Sequence, residues 1–161
     1  MTNPAGYSRV QIALHWIVVL LIVQQYLLKD GIADAWEASR AGLEVPFDPL
    51  VAVHVAGGAL IMAFALWRLV LRARRGAPAA VGSAKLQMLA RLTHAGLYVL
   101  MILMPVTGAM AWFGGVEAAA QGHNLLKIVL LVLVALHVVG ALYHHFVLKD
   151  AMLDRMRRAQ P

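Results

Sequence analysis

Four long apolar runs separated by short polar segments organise the chain: Val10–Leu28, Leu50–Leu71, Leu89–Phe113 and Leu125–Val147. A membrane-crossing helix needs roughly 20 mainly apolar residues, so each run predicts one span. The first run stands where a signal peptide would. It carries His15, Gln24 and Gln25, however, and no small-x-small cleavage pattern follows it, which predicts a retained helix. The connections are Lys29–Pro49, Arg72–Met88 and a Gly-rich segment Gly114–Gly122, all too short for a further domain. Neither strand-like alternation nor an internal repeat stands out. The pattern predicts an all-α integral-membrane four-helix bundle forming one domain over residues 1–161.

Composition sharpens this picture by exclusion. Of 161 residues, 61% are hydrophobic and only 14% charged, too little polar surface to cover a soluble core of this size. With no cysteine there is no disulfide, iron–sulfur cluster, thiolate zinc site or covalently attached c-type haem.

The net charge of +6 matters through its placement. Eleven cations (Arg9, Arg68, Arg72, Arg74, Arg75, Lys85, Arg91, Lys149, Arg155, Arg157, Arg158) fall on one side of the four spans and three (Lys29, Arg40, Lys127) on the other. Six of the eight acids (Asp30, Asp34, Glu37, Glu44, Asp48, Glu117) fall on that second side. The positive-inside rule then predicts a multi-pass protein of the cytoplasmic (inner) membrane, with both termini and the Arg72–Met88 loop cytoplasmic. Anionic membrane lipid is the expected partner of the basic side, and nucleic acid is not.

Seven histidines in so apolar a chain are the chemical anomaly, because an ionisable group within a span is costly and needs a partner. His15 and His94 each lie about six residues into outward-running helices, near 9 Å from the inner end. His54 and His123 lie near the outer ends of the second and fourth spans. His137 follows His123 by 14 residues, about 21 Å of rise and within about 40° of four whole turns, so both occupy one face. The outer layer is therefore His54 with His123, and the inner layer is His137 with either His15 or His94. Two imidazole pairs stacked in a four-helix bundle suit two bis-His b-type haems. A zinc site would want three or four ligands at one level, whereas these are split two and two.

Other positions fit a macrocycle among helices. Gly57 and Gly58, a turn past His54, and Gly140, three residues past His137, let a ring or another helix approach the backbone. Arg68 shares the His54 face and reaches the inner layer, where it suits a propionate or a lipid phosphate, and Arg9 has the same two readings. Pro105 predicts a kink in the third span. His144, seven residues beyond His137 and about 10 Å further inward, suits proton transfer or a quinone carbonyl; His145 points elsewhere.

Several segments resemble the bacterial cytochrome b561 family: Tyr7-Ser8-Arg9-Val10-Gln11-Ile12-Ala13-Leu14-His15-Trp16, Arg91-Leu92-Thr93-His94-Ala95-Gly96-Leu97-Tyr98, Pro105-Val106-Thr107-Gly108, and Leu136-His137 continuing to Tyr143-His144-His145-Phe146-Val147-Leu148-Lys149-Asp150. The resemblance runs in order over nearly the whole chain. It implies an inner-membrane cytochrome with two b haems that exchanges electrons with ubiquinone. It also implies the axial set His15, His54, His123 and His137, which would pair His15 with His137 and leave His94 a non-ligand.

One member of the family oxidises superoxide at the outer face and passes the electron to quinone, which makes superoxide a candidate donor. The chain departs from family members that carry an acid after the histidine at position 123, since it reads Gly122-His123-Asn124. Its outer loops also carry more acids than cations, a poor attractor for an anion, although Lys127 offers a local positive entrance. The expected function is electron transfer within the membrane to ubiquinone, with two one-electron carriers matching a two-electron acceptor. The alternative is a haem b anchor relaying electrons from a periplasmic dehydrogenase or hydrogenase that docks on Asp30–Asp48, where Trp36 and Phe47 stand among acids. A bundle without cofactor would leave the matched histidine depths unexplained.

Overall fold

The computed structural model describes residues 6–78 and 81–159; residues 79–80 of the expected Arg72–Met88 loop lie outside it. The described residues form five α-helices and one short 3-10 turn, with no strand among them: α1 (Arg9–Leu27), α2 (Lys29–Arg40), α3 (Pro49–Arg75), α4 (Ala84–Gly114), α5 (Glu117–Phe146) and the turn Asp154–Met156. Four of them, α1, α3, α4 and α5, are long and apolar enough to cross a membrane.

Local chemistry sets the helix ends. At the start of α1, the Ser8 hydroxyl accepts from the Gln11 N–H at 3.3 Å while the Gln11 side chain accepts from the Ser8 N–H at 3.0 Å, a reciprocal capping box. Asp48 caps α3 ahead of Pro49 at its first position, and Gly76, at φ 80°, ends that helix where most side chains would be strained. Ser83 caps α4, which runs unbroken past Pro105 to a left-handed Gly115 at φ 65°.

The four spans pack α1 on α3, α3 on α4 and α4 on α5. Val18, Ile61, Ala65 and Met101 form the buried core at mid-height, flanked by Leu21, Ile22, Phe64, Leu97 and Tyr98. Outside it the spans present apolar side chains outward, such as Leu20 at 68% and Val139 at 62% exposure, as lipid-facing helices do.

Two connections differ from expectation. Lys29–Pro49 is not simply a loop, because α2 fills its first half, with Ala35 buried, Ile32 and Trp36 half-buried, and Asp34 and Glu37 exposed. A hydropathy search for long apolar runs passes over a helix with only one apolar face. The Gly-rich segment Gly114–Gly122 contracts to the turn Gly115–Val116, since Ala118, Ala119 and Ala120 favour helix and extend α5 back to Glu117. His123 therefore stands in the second turn of α5 and not at the helix end.

Candidate cofactor site

The histidines gather at two levels. One lies toward the end holding α2 and the α4–α5 turn, the acidic end. The other lies toward the end holding the chain termini and the α3–α4 connection, the basic end.

At the acidic end, His54 of α3 and His123 of α5 lie within electrostatic range of each other and of Lys127. The His123 ring is held from α4: its Nδ1 lies 2.9 Å from the Met104 carbonyl oxygen and 3.2 Å from the Thr107 hydroxyl. A carbonyl only accepts, so Nδ1 carries the proton and Nε2 is left with a free lone pair, the arrangement usual in metal-binding histidines. The Thr107 hydroxyl itself donates to the Leu103 and Met104 carbonyls, at 2.8 and 3.0 Å. Gly108 makes room, because a Cβ there would stand 3.1 Å from His123 Cε1.

Across the bundle, His54 Nδ1 is buried without a hydrogen-bond partner, an expensive state for a ring nitrogen unless some group engages the imidazole. The His54 carbonyl accepts from Gln25 Nε2 at 3.0 Å, and the space at Gly57 is taken by the side chains of Gln24 and Gln25. Gly57 thus admits α1 to the α3 backbone. Beside Gly58 and Gly140, by contrast, a Cβ would meet nothing within 4 Å. Lys127 stays close, with Nζ donating to Asn124 at 3.1 Å and its carbonyl accepting from the Tyr26 hydroxyl at 2.5 Å.

At the basic end three imidazoles converge. The His15 and His137 ring centres are 6.1 Å apart, and those of His94 and His137 are 5.0 Å apart at 80° between planes. Two imidazoles facing each other in line across one metal ion, each with a metal–nitrogen bond of about 2.0 Å, have ring centres about 6 Å apart. The His15–His137 spacing meets that requirement, while His94 is about 1 Å too close to His137 for the two to face each other in line across a metal. His94 Nδ1 lies 2.6 Å from the Ala90 carbonyl oxygen and so carries the proton. Arg68, half-buried, lies within electrostatic range of all three rings. Arg9 is exposed in the first turn of α1.

Beyond this trio, His144 is 6% exposed and its Nδ1 donates to the Asp150 carboxylate at 2.5 Å. Asp150 also accepts from the Met152 N–H at 3.0 Å, and Lys149, at φ 51°, turns the chain so that the carboxylate meets the ring. Burial pushes the Asp150 carboxyl up, but the His144 and Met152 hydrogen bonds outweigh it and hold the group below its ordinary range.

Sequence reasoning missed the supports: Met104, Thr107 and Gly108 behind His123, Asp150 behind His144, and a cleft of about 230 Å³ between α3 and α4 where Arg72, Arg91 and Tyr98 surround His94. A threonine and a glycine side by side in an otherwise apolar span, at the depth of His123, are the signal that points to the first group.

The profile of the prokaryotic cytochrome b561 family matches residues 6–159. Cytochrome b562 of Cereibacter sphaeroides is 35% identical over 98% of this chain and 99% of its own length. The probable superoxide oxidase CybB of Yersinia pestis is 28% identical over 93% of this chain and 94% of its own. With the match running through both histidine levels, the chain belongs to the prokaryotic cytochrome b561 family of multi-pass membrane proteins, which transfer electrons through haem b.

Proposed function

We propose that the chain holds two b haems, one by His54 and His123 and one by His15 and His137, and carries electrons within the cytoplasmic membrane to ubiquinone. When bound, each haem supplies a one-electron couple whose axial ligands the protein provides. The observation that carries this reading is the 6.1 Å separation of the His15 and His137 rings, the spacing of two imidazoles on one iron. The orphaned His54 Nδ1 and the proton fixed on His123 Nδ1 support the same role at the other level.

The remaining polar groups have parts in the same scheme. Arg68, the charge shared by all three basic-end rings, suits a propionate there; Arg9, exposed, suits a lipid phosphate. Gly58 leaves room for a macrocycle beside α3. His144, oriented by Asp150, is suited to give or take the protons that quinone reduction requires. Lys127 places a cation beside the acidic-end pair, where superoxide is a candidate donor, in keeping with the name of the relative from Yersinia pestis.

The direct test is a dithionite-reduced minus oxidised spectrum of the protein purified in detergent, with haem b counted per chain. Two low-spin, six-coordinate haems per chain are expected, and one or none overturns the reading. Quinone reduction by the isolated chain then tests the acceptor.

A second reading, a haem b anchor receiving electrons from a docked periplasmic dehydrogenase or hydrogenase, draws support from the acidic-end surface. There Lys29 pairs with Asp30 and Arg40 with Glu117, which leaves a net acidic face around Phe47, 84% exposed. Such a face suits a basic protein surface better than a free anion. Co-purification of a redox partner together with failure of the isolated chain to reduce quinone favours this second reading.

A further inference from the structure

His94 is the one member of the basic-end trio to which the proposed scheme gives no task, and its geometry is specific. It stands 5.0 Å from His137, ring centre to ring centre, with the planes at 80°. The two rings meet edge to face with no hydrogen bond between them in this structure; an imidazole N–H donating to an imidazole nitrogen, N to N at about 2.9 Å, brings two ring centres to about 5 Å, so the spacing admits one. The Ala90 carbonyl fixes the His94 proton on Nδ1, so in the neutral ring Nε2 is an acceptor. A histidine that binds metal through one nitrogen needs an acceptor for the N–H on the other. His123 has the Met104 carbonyl on α4 in that position, and His94 is the α4 group next to His137.

We propose that His94 is a positioning residue for His137: its Nε2 accepts the N–H of His137, in a relay that runs from His137 through His94 to the Ala90 carbonyl. The inference rests on the pairing of His15 with His137 proposed above. An accepted hydrogen bond makes the donating imidazole a stronger ligand and favours the oxidised iron. The relay therefore lowers the midpoint potential at the basic end and leaves the acidic end untouched.

The test is redox potentiometry of the full chain in detergent, on the unmutated protein and on His94→Leu, His94→Ala and His94→Gln. The unmutated protein comes first: if its spectrum lacks a second bis-His haem, the pairing of His15 with His137 fails, and the relay with it. With two haems present, His94→Leu and His94→Ala are expected to keep both low-spin and to raise one midpoint only. His94→Gln, whose amide oxygen restores an acceptor, is expected to return that midpoint toward the unmutated value.

Unchanged midpoints in the leucine or alanine variant overturn the relay. So does loss of one haem, or its conversion to a high-spin form, in both variants, since His94 would then be a ligand or a packing element. A leucine variant that does not accumulate leaves the alanine variant to decide.

Discussion

The two histidine levels solve one problem with different means. At the acidic end His123 is braced by the α4 backbone, through Met104, and by Thr107, while Gly108 clears a berth for its ring. At the basic end α4 offers a side chain, His94, itself tied to Ala90, and arginine replaces lysine as the nearby cation. A carbonyl brace is set by the helix path and survives most substitutions, whereas a side-chain brace is lost with one. The brace of His123 is thus the less sensitive to substitution, and the surroundings of His137 are the more open to change by a single replacement.

The sharpest way to break the comparison is to remove the rings themselves. His54→Ala and His123→Ala should each take haem content from two per chain to one and leave the same remaining spectrum. Two different single-haem spectra would separate the pair. His15→Ala and His137→Ala should leave the complementary spectrum.

Next in size is the berth. Gly108→Val places methyl groups where His123 now lies, at an overpacking cost of about 1–3 kcal/mol. It should lower haem occupancy at the acidic end alone, read as a stoichiometry between one and two. Equal loss at both ends would show general destabilisation and no local cradle.

A smaller effect belongs to Asp150→Asn, which should keep both haems and slow quinone reduction. The Asp150 carboxyl is depressed below its ordinary 3.8, so its stabilising contribution is complete above that value and fades as pH falls through the folded-state pKa. The difference in melting temperature between the two proteins should accordingly be present near neutral pH and close in acid. A difference that persists in acid would place the effect elsewhere. Smallest of all is Arg40→Ala, which breaks a half-exposed pair with Glu117 and should change unfolding by less than about 1 kcal/mol.

Much of the architecture was legible from the chain because lipid imposes its rules residue by residue. A run such as Leu125–Val147 must be helical, and histidines fourteen residues apart must share a face whatever surrounds them. The two levels followed from that arithmetic, including the company of His15, His94 and His137. The distances within the trio were not legible. A difference of about 1 Å between the two ring spacings arises from how α1, α4 and α5 lean on one another, and spacing along one helix carries no record of it. Helix α2 was missed for another reason: Ile32, Ala35 and Trp36 form a single narrow stripe among charges, below the threshold of any search for spans. The pairing of His144 with Asp150 was not legible either, because Asp150 reaches the ring only through the left-handed turn at Lys149.

One contact at the basic end bears on how the protein is made. Trp16 Nε1 donates to the Met156 carbonyl at 3.1 Å, which joins the first span to the chain 140 residues later. A nascent chain inserts its spans in order, and this bond must wait until residue 156 has left the ribosome. His54 and His123 both precede residue 156 in the chain, so their level does not depend on it. The seam between α1 and the segment after α5 is therefore the last of these contacts to close, after every span that carries a histidine has been made.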